Sequence, residues 1–177
     1  MDASDPDLVR RARDGDRAAF RLLLERHYDL LFRVAYRFLG SRAEAEDAAQ
    51  EMAMALARKI GSFGGRSRFT TWLYQLAINH CRDQIRRRQT LGRMEAAFVE
   101  ADAQRSADWA DTGRRLDWLY QAIDGLGSDL RETALLVLGE DMTHAQAGEV
   151  LGIKETTVSW RMHEIRKRLT VLARTEE

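Results

Sequence analysis

The chain has a single proline, Pro6, among its 177 residues. A proline inside a helix removes a backbone hydrogen bond and kinks the chain, so one proline near the start leaves the rest free to form uninterrupted helices. The sequence also lacks runs of the β-branched residues that favour strands. Together these features predict an all-α fold, and an apolar content of 45% is enough for a packed core.

Capping residues and glycines divide this helical chain into segments. We expect helices over about residues 6–14, 16–39, 41–60 and 70–88, and then over 114–124, 129–138, 143–151 and 155–173. Asp16 is a predicted N-cap, and Thr70 or Thr71 is expected to cap the fourth helix. Capping boxes are predicted at Ser41 and Thr143.

The composition predicts two small domains. Residues 92–112 are rich in Ala, Asp, Glu, Gln and Ser with little apolar periodicity, and we interpret them as a flexible acidic linker that is partly helical at most. The helical domains are then residues 1–91 and 113–177. Trp109 and Trp118 are expected to pack in the second domain.

Charge is unevenly distributed although 28 basic residues balance 28 acidic ones. Residues 58–93 hold 9 basic residues and one acidic residue, Asp83, whereas residues 94–141 hold 4 basic and 11 acidic. Overall neutrality therefore hides a basic block that is a candidate nucleic-acid surface.

We also expect an intracellular protein, since the single cysteine excludes an internal disulfide and no apolar stretch is long enough for a signal or a membrane span.

Residues 143–173 have the pattern of a helix-turn-helix. In the second helix of the pair, Val158, Met162, Ile165 and Leu169 lie on one side. The opposite side carries Thr156, Trp160, His163 and Lys167, flanked by Ser159 and Glu164. Gly152 supplies the turn, and Gly148 suggests close helix packing. An ordinary helical hairpin remains the alternative, but such a hairpin would not usually expose a tryptophan beside polar groups.

The fourth predicted helix, "FTTWLYQLAINHCRDQIRRR", is also two-sided. Its apolar arc contains Leu73, Leu76, Ala77, His80 and Cys81. The polar face lies within about 80° on a helical wheel and contains Trp72, Gln75, Asn79, Arg82 and Arg86. Arginines neutralise phosphates, amides bond to base edges, and an indole stacks on an unpaired base. With Phe63, Arg66, Arg68 and Phe69 in the preceding loop, this face favours single-stranded or melted DNA, and a merely solvated basic face is the alternative.

Three stretches then carry a family resemblance: "EAEDAAQEMAMALARKIGSF", "SRFTTWLYQLAINHCRDQIRRR" and "VLGIKETTVSWRMHEIRKRL". In order and spacing, the chain resembles the extracytoplasmic-function (ECF) sigma factors of the bacterial sigma-70 family over nearly its whole length. The resemblance implies a promoter-melting domain, a second domain that reads the minus-thirty-five element, and no catalytic activity. It implies core RNA polymerase, promoter DNA and an anti-sigma factor as partners, in the cytoplasm, with no cofactor, metal or small-molecule substrate.

The resemblance also assigns residues to these surfaces. The polymerase-binding residues would be Glu46, Asp47, Gln50 and Glu51. The residues that contact the melted minus-ten strand would be Phe63, Arg66, Arg68, Trp72, Gln75, Asn79, Arg82 and Arg86. The residues that contact the minus-thirty-five element would be Thr156, Ser159, Trp160, Arg161, His163, Glu164 and Lys167.

The sequence departs from the family pattern at Ala147, Gly148, Ser159 and Glu164. Family members usually have a large aliphatic residue and then alanine at the first two positions, and often basic residues at the last two. A carboxylate can accept a hydrogen bond from a cytosine amino group. We therefore expect a minus-thirty-five preference that differs from that of members with arginines there.

Two other functions fit parts of the sequence. A stand-alone helix-turn-helix regulator would explain residues 143–170 but leave the basic block without a use. An enzyme would need Glu44, Glu46, Asp47, Glu51 and His80 to gather around a metal, and the expected position of the carboxylates on an outer face argues against it. We expect His80 and Cys81 to be core residues.

Overall fold

The computed structural model describes residues 3–95, 122–123 and 125–175, which form helices, turns and loops without a strand. The chain divides into two compact units, Met1–Asp102 and Ala103–Glu177. The prediction of an all-α protein with two helical domains is confirmed. The linker over residues 92–112 stays a prediction, because most of it lies outside the described residues, as do Trp109, Trp118 and most of the helix expected over residues 114–124.

The described residues of the first unit form four helices, and α2 contacts the other three. They are α1 (Asp5–Arg13), α2 (Arg17–Leu39), α3 (Arg42–Lys59) and α4 (Phe69–Glu95), with a 3₁₀ turn at Ile60–Ser62. Leu23 and Leu31 of α2 are fully buried. This burial fits an apolar helix in the middle of a bundle.

The N-caps of the first unit follow the sequence prediction in part. The Asp16 carboxylate accepts hydrogen bonds from the backbone N–H groups of Ala18 and Ala19, at 2.9 and 3.0 Å. The Ser41 hydroxyl accepts from the Glu44 N–H at 3.4 Å, which is one half of the predicted capping box. The Glu44 carboxylate, however, extends to Arg88 of α4, at 2.7 Å. This side chain therefore joins two helices.

Both predicted ends of α4 were wrong. The helix begins at Phe69, before Thr70 and Thr71, and the Trp72 N–H already bonds to the Arg68 carbonyl at 3.2 Å. At its other end the helix continues past residue 88 and through Gly92 to Glu95. A glycine in a helix interior costs only about 1 kcal/mol relative to alanine, and no proline follows to stop the helix.

The second unit contains α5 (Ser128–Ala134), α6 (His144–Leu151) and α7 (Glu155–Thr175). The helix expected over residues 129–138 changes its hydrogen bonding part-way, because Leu135–Gly139 forms a π-helical turn. There the Glu140 N–H bonds to the carbonyl five residues earlier, that of Leu135, at 3.1 Å. The wider turn is a feature that apolar periodicity does not predict.

The α6–α7 pair is a helix-turn-helix. Thr143 and Gln146 form the complete capping box predicted at the start of α6, and Gly152 ends that helix in the left-handed conformation at φ 69°. Gly148 is a buried residue of α6, and the backbone of the turn that follows this helix packs directly against it. A Cβ atom at this position would lie 2.8 Å from the Ile153 carbonyl oxygen, so only glycine fits this approach.

We predict that Gly148→Ala destabilises the second unit even though alanine is the better helix former. The new methyl group would overlap the backbone of the turn, and overpacking of this kind costs about 1–3 kcal/mol. Gly61→Ala is the control, because a Cβ there meets no atom within 4 Å. Thermal or urea unfolding checks both variants, and an unchanged midpoint for Gly148→Ala would contradict the close approach.

Candidate nucleic-acid and polymerase interfaces

The polar face of α4 is accessible in the structure. Asn79 and Arg86 are exposed, and Trp72, Gln75 and Arg82 are partly exposed. The Arg82 guanidinium donates a hydrogen bond to the Asn79 side-chain oxygen at 3.1 Å. The five side chains predicted to contact a melted strand therefore share one face with access to solvent.

The Trp72 ring packs against other aromatic side chains, and we define the aromatic cluster as His27, Phe63, Phe69 and Trp72. The Trp72 ring centroid lies 5.3 Å from that of Phe63 and 5.9 Å from that of Phe69. His27 packs edge-on against Phe69 at 5.3 Å. Its Nε2 atom is 2.7 Å from the Asp5 carboxylate of α1. The indole is thus fixed from behind while part of it stays open to solvent.

Phe63 is placed differently from the sequence prediction. It was expected to offer a loop side chain to DNA, but it is only 7% exposed and packs edge-on against Phe69 at 5.7 Å. In this conformation Phe63 supports Trp72 and offers no stacking face of its own. Its loop neighbours Arg66 and Arg68 are exposed.

The outer face of α3 carries the side chains expected to bind polymerase. Glu46, Asp47, Gln50 and Glu51 are exposed, while the opposite side packs in the core through Ala45, Ala48, Met52 and Leu56. Glu46 forms an ion pair with Arg42, one turn earlier, at 3.0 Å. Asp47 and Gln50 follow Glu46 on the same exposed side of the helix.

His80 is not the core residue that the sequence predicted. Its side chain is 21% exposed, and Nε2 lies 3.1 Å from a Glu51 carboxylate oxygen and 3.3 Å from the Gln84 amide. The contact joins α3 to α4. Cys81, by contrast, is fully buried, as predicted. Across the described ranges, no group of three or more His, Cys, Asp or Glu side chains is arranged to hold a metal.

In the second unit, α7 exposes the face that was expected to read DNA. Val158, Met162 and Ile165 are buried beneath it. The exposed side chains on the outer face are Thr156, Ser159, Trp160, His163 and Lys167. Trp160 is 63% exposed, so most of its indole surface is accessible on this face.

Glu164 lies at the edge of this face and is partly covered. The Arg168 guanidinium donates a hydrogen bond to its carboxylate at 2.8 Å, and this bond is the largest cause of the lowered pKa of Glu164. Desolvation opposes the shift, and the positive charges of Arg168 and Lys167 add to it. The carboxylate therefore stays ionised near neutral pH, where it can only accept hydrogen bonds.

Arg161 was expected to contact the minus-thirty-five element, but the structure turns its side chain inward. Its side chain is 14% exposed, and the guanidinium donates to the Asp129 carboxylate at 2.7 Å and to the Thr133 hydroxyl at 3.4 Å. These bonds connect α7 to α5. Arg161 therefore stabilises the position of α7, and this role is visible only once the two helices are packed.

A second contact that the sequence reasoning missed joins α6 to α7. His144 Nδ1 lies 2.9 Å from the Ser159 hydroxyl oxygen. His144 is the first residue after the predicted cap Thr143, which is a signal for a helix start but carries no information about a partner on the next helix.

Comparison with known proteins agrees with this architecture. Residues 23–90 match the family model Sigma-70 region 2. The chain is 28% identical to the ECF RNA polymerase sigma factor SigW of Bacillus subtilis, over 91% of this chain and 92% of SigW. It is 31% identical to SigE of Mycolicibacterium smegmatis, over 88% of this chain and 63% of that longer protein.

Two solved structures share the fold. One is CnrH in complex with the cytosolic domain of CnrY, with a TM-score of 0.71, 22% identity and coverage of 96% of this chain and 97% of CnrH. The other is the sigma factor RpoE of Bartonella quintana in complex with the anti-sigma factor NepR, with a TM-score of 0.68, 24% identity and coverage of 89% and 98%.

The bundle with its accessible basic helix matches sigma-70 region 2, and a helix-turn-helix unit follows it, so the chain has the domain arrangement of the sigma factors of the sigma-70 family. Among those proteins it is similar to the extracytoplasmic-function group, to which SigW and SigE belong. Sigma factors are not enzymes in the catalytic sense. In the part of the chain that the structure describes, no helix is long and apolar enough to cross a membrane.

We predict that Arg161→Ala lowers the free energy of unfolding of the second unit by about 1–2 kcal/mol, because it removes the hydrogen bonds of a largely buried guanidinium to Asp129 and to the buried Thr133. Arg166→Ala is the matched control, since Arg166 is an exposed arginine on the same helix, and it should change stability by less than about 0.5 kcal/mol.

A double-mutant cycle with Asp129→Ala isolates the Arg161–Asp129 interaction in urea unfolding. If Arg161→Ala kept full stability but lost promoter binding, the stabilising role would be wrong and Arg161 would be a DNA-contacting residue as first expected.

Proposed function

We propose that this sigma factor binds core RNA polymerase through the outer face of α3, reads a minus-thirty-five element with α7, and favours opening of the minus-ten element by holding unpaired bases on α4. No bond chemistry is involved. Strand separation is favoured because unpaired bases gain stacking and hydrogen bonds that paired bases cannot make.

The observation that carries this proposal is the placement of Trp72. Its indole is partly exposed, is backed by Phe63 and Phe69, and lies on the same face as Asn79 and Arg86. A rigid aromatic platform beside an amide and a guanidinium suits a single strand, where each base offers a ring face for stacking and each phosphate a charge. Arg66 and Arg68 extend the positive charge into the preceding loop.

The near-neutral total charge fits a protein that depends on polymerase for promoter affinity. Electrostatic attraction to phosphates supplies most non-specific DNA binding, and here it is limited to local basic patches within a chain of zero formal charge. Weak affinity of the free chain would leave promoter engagement to the assembled holoenzyme. Tight promoter binding by the isolated protein at physiological salt would contradict this part of the proposal.

We also propose that an anti-sigma factor regulates the chain. The solved structure of RpoE is a complex with the anti-sigma factor NepR, and a partner that covered α3 would prevent polymerase binding. Because core polymerase is the main partner, we place the protein in the cytoplasm.

A stand-alone helix-turn-helix regulator remains the second candidate function. The only observation that favours it is the exposed face of α7 around Trp160.

Run-off transcription separates these two functions. Purified core polymerase is given a library of genomic fragments with and without the chain, and the transcripts are sequenced. A sigma factor produces new, specific initiation sites that appear only when the chain is added. A stand-alone regulator would bind fragments without core polymerase and would create no new start sites.

We predict that Trp72→Ala reduces transcription from a fully paired promoter by roughly tenfold, in keeping with a stacking contribution of about 1–3 kcal/mol per base. A template with a pre-opened minus-ten bubble should show a smaller defect, because the cost of opening is already met. Arg21→Ala, an exposed position on α2, serves as the control. Equal defects on both templates would argue against a role in opening.

We predict that Asp47→Arg weakens binding of the chain to core polymerase by at least tenfold, since it reverses a charge at the centre of the acidic α3 face. Glu25→Arg reverses an exposed charge on α2 and should bind normally. Fluorescence anisotropy of the labelled chain titrated with core polymerase measures both. Normal binding of Asp47→Arg would exclude this face as the docking surface.

A further inference from the structure

The hydroxyl of Ser159 is engaged on two sides within the second unit. It donates a hydrogen bond to the Glu155 carbonyl one turn earlier, at 3.1 Å. On its other side lies His144 Nδ1 of α6, at 2.9 Å. The side chain is nevertheless exposed on the face of α7 that is proposed to read the minus-thirty-five element.

This arrangement limits what Ser159 can offer to a base. A hydroxyl has one proton and two lone pairs. If His144 carries its proton on Nδ1, it donates to Ser159 while Ser159 donates to the Glu155 carbonyl. If His144 carries its proton on Nε2, the Ser159 proton bonds to Nδ1 instead. In either tautomer the only proton is used inside the protein, and a lone pair is what remains.

A serine without such a neighbour rotates its hydroxyl to suit the base, which is why serine pairs with donors and acceptors alike. The histidine removes that freedom. His144 is itself well placed, because it follows Thr143, whose backbone and side chain are both fixed by the capping box with Gln146.

We propose that His144 is a positioning residue for minus-thirty-five recognition: it holds Ser159 as a hydrogen-bond acceptor and so selects a base with an amino group in the major groove, adenine or cytosine, on the contacted strand. Guanine and thymine present acceptors to the major groove at the corresponding position. Their acceptor oxygens would face the lone pair of the Ser159 hydroxyl oxygen, and no hydrogen bond could form. This inference rests on the proposed function, because it assumes that α7 reads the upstream element.

The test is a selection by the holoenzyme. Core polymerase with the full-length chain transcribes templates whose upstream element is randomised, and the productive templates are sequenced. Wild-type chain should enrich adenine or cytosine over guanine and thymine at one position by roughly tenfold, the range expected for a good base contact. Ser159→Ala identifies that position, because the preference should disappear there and persist elsewhere.

Two His144 variants then test the positioning role. His144→Ala frees the hydroxyl to rotate, so guanine and thymine should rise at the Ser159 position while preferences at other positions stay unchanged. His144→Asn places an amide nitrogen near the location of Nδ1 and should restore the original preference. Ala145→Ser, a change at the neighbouring exposed position, is the control and should leave all preferences unchanged.

The failures are distinguishable. A wild-type chain that ignores the upstream element altogether would overturn the proposed reading by α7. A clear upstream preference that His144→Ala leaves intact at the Ser159 position would overturn the role of His144 alone. Loss of preference at every position in His144→Ala, without rescue in His144→Asn, would also overturn it and would show a general effect on α6.

Discussion

Burial of one side of α4 is the constraint on which the first unit depends. Leu73, Ala77 and Cys81 have no exposed surface. Burying one such leucine contributes about 1.5–3 kcal/mol, whereas an exposed ion pair contributes about 0–1 kcal/mol. The apolar stripe therefore decides how the helix is rotated in the bundle. The polar face that carries Asn79 and Arg86 points outward because the opposite face has to be covered.

The polar contacts have a different role, since they connect helices that the apolar core has already brought together. Glu51 meets His80 and Glu44 meets Arg88 between α3 and α4, and Arg161 meets Asp129 between α7 and α5. The first two contacts link the proposed polymerase-binding helix with the proposed strand-binding helix. Each contact engages a charged group within the fold, so a count of charges overstates what the protein offers to DNA or polymerase.

Much of the architecture could be predicted because it depends on neighbours along the chain. The Asp16 cap, the Thr143 capping box and the Gly152 turn each involve residues within one helical turn, and the structure contains all three. Gly148 was correctly interpreted as a packing residue, and the structure adds that the close neighbour is the Ile153 carbonyl. The ends of α4 were harder to predict, because starting the helix one residue earlier, at Phe69, or continuing it through Gly92 costs little free energy.

By itself, the sequence determined which segments form helices and which side of each helix enters the core, since hydrogen bonds between residues four apart impose a fixed period on the side chains. Tertiary structure alone decided what the remaining polar and aromatic groups do. Phe63 supports Trp72, Arg161 binds Asp129, and His144 meets Ser159. The partners in each pair belong to different elements of the fold, and their contact depends on the packing of whole elements, which no local pattern encodes.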